Sequence, residues 1–267
     1  ALFASLDVSS EDRTTNSGYK SSKTGVSFGT EFEQYENIFL APAISASHEN
    51  LTTDSTASAS LKKMEGNFHN LDFDYGITWD HRNQVFQPTS GYVTRFKQTL
   101  PIIQDSSAIT NGLEISKYHG FSEDVIGAIK FMGRAINGVD EDVRLTSRLF
   151  IPANRLRGFN TRKVGPKDGD DYIGGNYTSA LSFEAQLPNL LPESTNTDVS
   201  VFIDSANVWS VDYNSSLDES ITIRSAFGVS ANVYTTIGPL SLTLAQDITK
   251  GTDDETQAFN FRLGTSF

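Results

Sequence analysis

Apolar residues in this chain recur at every second position, and none of its apolar runs is long enough to cross a bilayer as a helix. Leu71, Phe73, Tyr75, Ile77 and Trp79 alternate with Asp72, Asp74, Gly76 and Thr78. The same spacing places Val26 with Phe28, Ile38 with Leu40 and Ile44, and Tyr92 with Phe96 and Leu100. It continues through Leu181, Phe183 and Leu187, then Val199, Val201 and Ile203, then Leu240, Leu242 and Leu244. A period of two is the strand's, because successive side chains leave a pleated backbone on opposite faces. Counted along the chain, the alternation gives roughly twelve strands. The segment 108–121, rich in β-branched residues and broken by glycine, reads as strand rather than helix.

The connections decide how such strands close. Short turns at 33–37, 121–124 and 235–239 alternate with polar loops at 52–70, 138–176 and 210–221. An up-and-down barrel with one plain rim and one elaborated rim has this form, although a soluble sandwich alternates as well. Charged residues stand opposite the apolar set in mid-strand, at Arg95, Lys97, Glu184, Asp204, Arg224 and Arg262. In a membrane barrel these face a wet lumen while the apolar set faces lipid. Tyr75, Trp79, Tyr92, Tyr177, Trp209 and Tyr234 are expected near strand ends, as interfacial girdles require. The chain ends on an aromatic alternating strand, AFNFRLGTSF. The fold expected is all-β: an antiparallel up-and-down transmembrane β-barrel, formed by residues 1–267 as one domain.

Charge narrows the chemistry. With 33 acidic and 21 basic residues the net charge is -12, which argues against nucleic acid as a partner. No cysteine is present for a disulfide or a thiolate metal site. The four histidines are scattered in sequence, and KDGDD at 167–171 lacks the full spacing of a calcium loop, so no metal or cofactor is expected. No GxSxG, P-loop or GxGxxG occurs, and the reading is non-enzymatic. Against this acidic background 154–176 stands out, carrying Arg155, Arg157, Arg162, Lys163 and Lys167 among five glycines and a proline. Such a composition suits a bent, closely packed loop.

RLRGF at 155–159, VGPKD at 164–168, IGGN at 173–176 and the terminal Phe267 resemble the C-terminal barrel of the BamA family, outer-membrane assembly factors of Gram-negative bacteria. DHRNQVFQPTSG at 80–91 resembles that family's periplasmic turn, and IGPLSLTLAQDI at 237–248 its penultimate strand. The resemblance implies a sixteen-stranded barrel behind periplasmic POTRA domains. On that alignment the present chain starts at the fifth strand, without POTRA domains or the first four strands.

The same resemblance implies roles. The loop at 138–176 would fold inward, with Arg157 meeting Glu184 and Asp204 on the inner wall, Gly158 permitting a close turn and Phe159 packing as an apolar plug. Phe259, Phe261, Leu263 and Phe267 would form the terminal strand, one side of a lateral gate. The expected function is assistance in folding and inserting outer-membrane proteins. Expected partners are outer-membrane lipids, client barrels and, where POTRA domains exist, assembly-machinery lipoproteins. A TamA-type or two-partner secretion transporter, a passive pore and a soluble all-β binding module are the alternatives.

Overall fold

A computed structural model describes residues 1–85, 87–105, 107–235 and 238–263. Its strands in chain order are β1 (Leu2–Asp12), β2 (Tyr19–Thr30), β3 (Phe32–Tyr35), β4 (Ile38–Thr53), β5 (Gly66–Asp80), β6 (Gly91–Gln104), β7 (Ala108–Gly120) and β8 (Ile126–Gly138). After a long loop come β11 (Tyr177–Leu187), β12 (Thr197–Trp209), β13 (Arg224–Thr235), β14 (Gly238–Thr249) and β15 (Phe259–Leu263). Inside that loop a small hairpin pairs β9 (Lys167–Asp168) with β10 (Asp171–Tyr172). Two single-turn helices, α1 (Thr14–Ser17) and α2 (Ala59–Lys62), lie in other loops.

Apart from that hairpin, the strands make one antiparallel sheet in the order β1-β2-β4-β5-β6-β7-β8-β11-β12-β13-β14-β15, with β3 beside β4. Twelve strands thus follow one another in space as they do in sequence, an all-β meander. The segment 108–120 is strand, as its β-branched content requires.

Register carries the alternation from one strand to the next. Phe183 faces Ile203, which faces Phe227; Val201 faces Val229, which faces Leu244, which faces Phe259. These outward residues form continuous exposed apolar rows, which a wall set in lipid requires and a wall in water does not. The opposite parity of the same strands is buried: Ala180, Ser182, Phe202, Asp204, Ala206, Ala226 and Ser230.

Girdles occupy both rims. Trp79 meets Tyr92 edge to face, ring centroids 5.2 Å apart, at one end of β5 and β6. Tyr177 and Trp209 pair at 5.8 Å at the opposite end of β11 and β12. Two expected girdle residues belong elsewhere. Tyr75 lies mid-strand, opposite Pro42 and Gln98, and its hydroxyl donates to Gln98 Oε1 at 2.8 Å. Tyr234 shares the inward parity of Ala226 and Ser230 and donates to Asp198 Oδ2 at 2.8 Å. Aromatic content flags an interface only when parity and depth along the strand agree.

Loop lengths broadly follow expectation, apart from the turn expected at 235–239, of which 236 and 237 lie outside the described residues. The elaborated rim carries 54–65, 139–176, 210–223 and 250–258; the first is shorter than the 52–70 expected, because β4 runs to Thr53 and β5 begins at Gly66. On the other rim a tight turn after Tyr35 places Asn37 at φ 63, its N–H donating to Glu33 Oε1 at 2.8 Å. That rim also has a ten-residue loop, 81–90, which begins on a fork from Arg82 to both oxygens of Asp80.

Candidate functional site: a loop bonded into the lumen

The long loop is pinched at its neck, where Leu149 and Gly175 exchange both backbone hydrogen bonds, at 2.8 and 2.9 Å. Beyond the neck the chain turns onto the inward face of the sheet. Its Ile151, Leu156, Phe159 and Val164 pack with Met132, Ala180, Ala206, Val208 and Ala226 into one buried cluster. The inner wall is therefore not wet throughout: small alanines on the inward parity of β11, β12 and β13 form the floor on which the loop's apolar residues sit. Gly158 adopts φ 92, and a methyl there would stand 2.9 Å from the Ala245 methyl and 3.4 Å from that of Ala226. Only glycine allows both this conformation and this approach.

Arg157 is fixed from four directions. Nε donates to Asp204 Oδ2 and Nη2 to Asp204 Oδ1, both at 2.8 Å, and its backbone N–H reaches Oδ2 at 3.0 Å. Nη1 donates to Glu184 Oε2 at 3.3 Å, an oxygen that also receives Lys130 Nζ at 3.2 Å. The guanidinium carbon lies 3.4 Å from the centroid of the Phe202 ring. Planar guanidinium matches planar carboxylate, and charge-assisted bonds in a restricted interior are worth on the order of 1.5–3 kcal/mol each. Glu184 lies opposite Phe202 in register, and Ser182 opposite Asp204, so adjacent strands present both carboxylates to one guanidinium. Gly228, the partner of Phe202 on β13, leaves the space a side chain would take: its Cβ would fall 2.8 Å from the ring.

The remaining basic residues also turn to the protein itself. Arg155 Nη2 donates to Glu114 Oε2 at 3.0 Å, while Arg134 holds the other oxygen at 3.1 Å. Arg162 lies 3.6 Å over the Phe150 ring and donates to the Tyr19 hydroxyl at 3.0 Å. Lys163 pairs with Glu255 at 3.0 Å, and Lys167 stands 4.9 Å from the Tyr172 centroid. KDGDD is the hairpin of β9 and β10, with Asp168 accepting from Ser58 and Tyr213.

Sequence reasoning did not find Phe202, Lys130 or the Arg155–Glu114 pair. It also missed two further knots. Arg224, fully buried, forks onto Asp254 and meets Glu219 and Asn207. Arg148 joins Asn176, Asp212 and the Val143 carbonyl. A local signal existed for Arg224, Lys130, Phe202 and Glu114, which stand on the inward parity. His48 and His69, far apart in sequence, are cross-strand neighbours with rings 4.5 Å apart. Phe259, Phe261 and Leu263 lie on β15 and point outward opposite Leu244, Leu242 and Leu240; Phe267 lies outside the described residues.

A sheet that is apolar outside, buried inside and occupied by an inward loop defines a transmembrane β-barrel protein. Residues 2–267 match the Omp85 superfamily domain; the chain belongs to that superfamily and is an integral barrel of the bacterial outer membrane. It is 22% identical over 271 residues to the outer membrane protein assembly factor BamA of Neorickettsia risticii, covering 99% of this chain and 36% of the relative. It is 27% identical over 139 residues to BamA of Neisseria meningitidis serogroup B, covering 42% of this chain and 17% of that one. The chain thus spans little more than a third of the length of the first of these relatives. Among solved structures, BamA from Haemophilus ducreyi lacking POTRA domains 1-3 superposes with a TM-score of 0.88 at 21% identity, over 97% of this chain and 57% of that one. CdiB from Acinetobacter baumannii gives 0.61 at 10% identity, over 92% and 42%.

Proposed function

We propose that this barrel is the membrane domain of a BamA-type insertase, assisting the folding and insertion of other outer-membrane barrels without chemical catalysis. The observation that carries the reading is the inward loop, seated on the alanine floor and forked by Arg157 onto Asp204 and Glu184. A loop bonded to two strands braces a barrel that must stay intact while its wall is disturbed. In this reading Arg157, Gly158 and Phe159 form an internal strut, and Phe259, Phe261 and Leu263 on β15 flank a lateral gate. A client's terminal strand would add to that edge by main-chain hydrogen bonding. Lipids, client barrels and, through any periplasmic domains, assembly lipoproteins are the proposed partners.

The likeness to CdiB supports a second reading, a two-partner or TamA-type transporter on the same barrel. Purified protein in liposomes separates the two. An insertase speeds the folding of unfolded client barrels added from outside. A transporter leaves that rate unchanged and moves a passenger chain across the bilayer.

A further inference from the structure

The inward loop is bonded to more than the inner wall. Its segment 158–163 runs beside 255–257, the residues leading into β15. Asn160 N–H donates to the Glu255 carbonyl at 2.9 Å, Glu255 N–H to the Lys163 carbonyl at 3.0 Å and Gln257 N–H to the Gly158 carbonyl at 2.9 Å. Phe159 and Thr256 form a β-bridge between these bonds. Side chains add to it: Lys163 Nζ meets Glu255 Oε1 at 3.0 Å, and Asn160 Nδ2 meets Glu255 Oε2 at 3.1 Å.

Asp254 ties the same place from below. Its buried carboxylate receives Arg224 Nε at 2.7 Å from β13, the Gly165 N–H at 3.1 Å from the inward loop and the Gly251 N–H from its own turn. The Tyr172 hydroxyl donates to the Asp253 carbonyl. Among the described residues β15 pairs with β14 over Phe259–Leu263, preceded by a bond from the Ala245 N–H to the Ala258 carbonyl at 2.8 Å, and β14 is the one strand paired with it.

We infer that 158–165 and 253–257 form a clasp through which the inward loop fixes the position of the terminal strand. The loop is then a tie between two parts of the barrel: Arg157 bonds it to β11 and β12, and the clasp, which begins at the next residue, bonds it to the lead-in of β15. Opening the clasp frees β15 without unfolding the wall; with it closed, the strand edge is held in place. The functional consequence, control of the edge a client strand would use, rests on the insertase reading. The clasp itself does not.

Hydrogen exchange on the intact protein in detergent micelles tests the clasp alone. Lys163 and Glu255 are partly exposed, so charge reversal leaves the fold in place. Glu255→Lys should raise exchange in 259–263 by about fivefold, the scale of one partly exposed ion pair, with 177–209 unchanged. The double variant Lys163→Glu/Glu255→Lys should restore slow exchange. Equal protection of 259–263 in all three proteins overturns the clasp, as does a double variant no slower than Glu255→Lys. In a second arm, client folding in liposomes is measured with the same variants. Altered folding in Glu255→Lys, restored in the double variant, joins the clasp to the insertase. Altered exchange with unchanged client folding leaves the clasp standing and removes its functional role.

Discussion

Arg157 and Asp204 are 47 residues apart in sequence and joined by three hydrogen bonds, two from the guanidinium and one from the Arg157 backbone N–H, all between 2.8 and 3.0 Å. The Asp204 side chain has no solvent exposure and that of Arg157 has 14%. Removing one member of a buried pair leaves the other charge uncompensated, at a cost of about 3–5 kcal/mol. Arg157→Ala should therefore release the loop to protease and lower the temperature at which the barrel loses its heat-modifiable migration on gels. Arg157→Lys should fall close to Ala, since an ammonium keeps the charge but cannot fork onto Asp204 and lie flat on Phe202. Unchanged loop protection in both variants would remove the strut.

The neighbouring pair gives a contrast. Arg155 is as buried as Arg157, but its partner Glu114 is more open, with 30% side-chain exposure, and Arg134 still reaches Glu114 when Arg155 is gone. Partly exposed pairs are worth about 0.2–1 kcal/mol. Arg155→Ala should cost under about 1 kcal/mol in the same assays, so the two arginines of RLRGF differ several-fold in effect.

Gly158→Ala tests the seat of the turn. The substitution places a methyl 2.9 Å from that of Ala245 and forces an L-residue to φ 92. A cost of about 1–3 kcal/mol follows from backbone strain alone. The expected result is a loop displaced from the wall while the strands remain, read as new cleavage within 150–174 with unchanged β-sheet circular dichroism.

Much of this architecture was legible in the chain. Alternation gives the strand number because a pleated strand with one face in lipid must repeat every two residues. It also gives the face, so Glu184 and Asp204 could be placed inward before any contact was known. The partner of each loop residue was not legible. Arg155 with Glu114, Arg224 with Asp254 and Lys163 with Glu255 are meetings across loops whose local sequence has no period to read. Arg157 differs only in that the resemblance of its motif implies its partners. The alanine floor left a trace, small residues at 180, 206 and 226 on the inward parity, but small residues alone do not say what lies on them.

Acid should open the elaborated rim. Burial pushes the Asp212 carboxyl up, but the Val143 N–H, the Asn176 amide and the Arg148 guanidinium more than offset it and hold the group below the usual carboxylate range. With the folded value depressed, the group stabilises the loop above its unfolded pKa of about 3.9 and the benefit is lost as pH falls through the folded value. Protection of 210–223 from an acid-active protease should hold at pH 5 and fail well below about pH 4. In Asp212→Asn, which leaves Arg148 without its anion, protection should be lost at every pH.

The most direct measurement is the folding rate of an unfolded client barrel added to liposomes, with and without this protein reconstituted in them. The expected result is faster folding with the wild-type protein, weakened by Arg157→Ala at equal amounts of inserted barrel. Client folding no faster than in empty liposomes, accompanied by steady conductance across a planar bilayer, would contradict the insertase reading and leave a passive channel in its place.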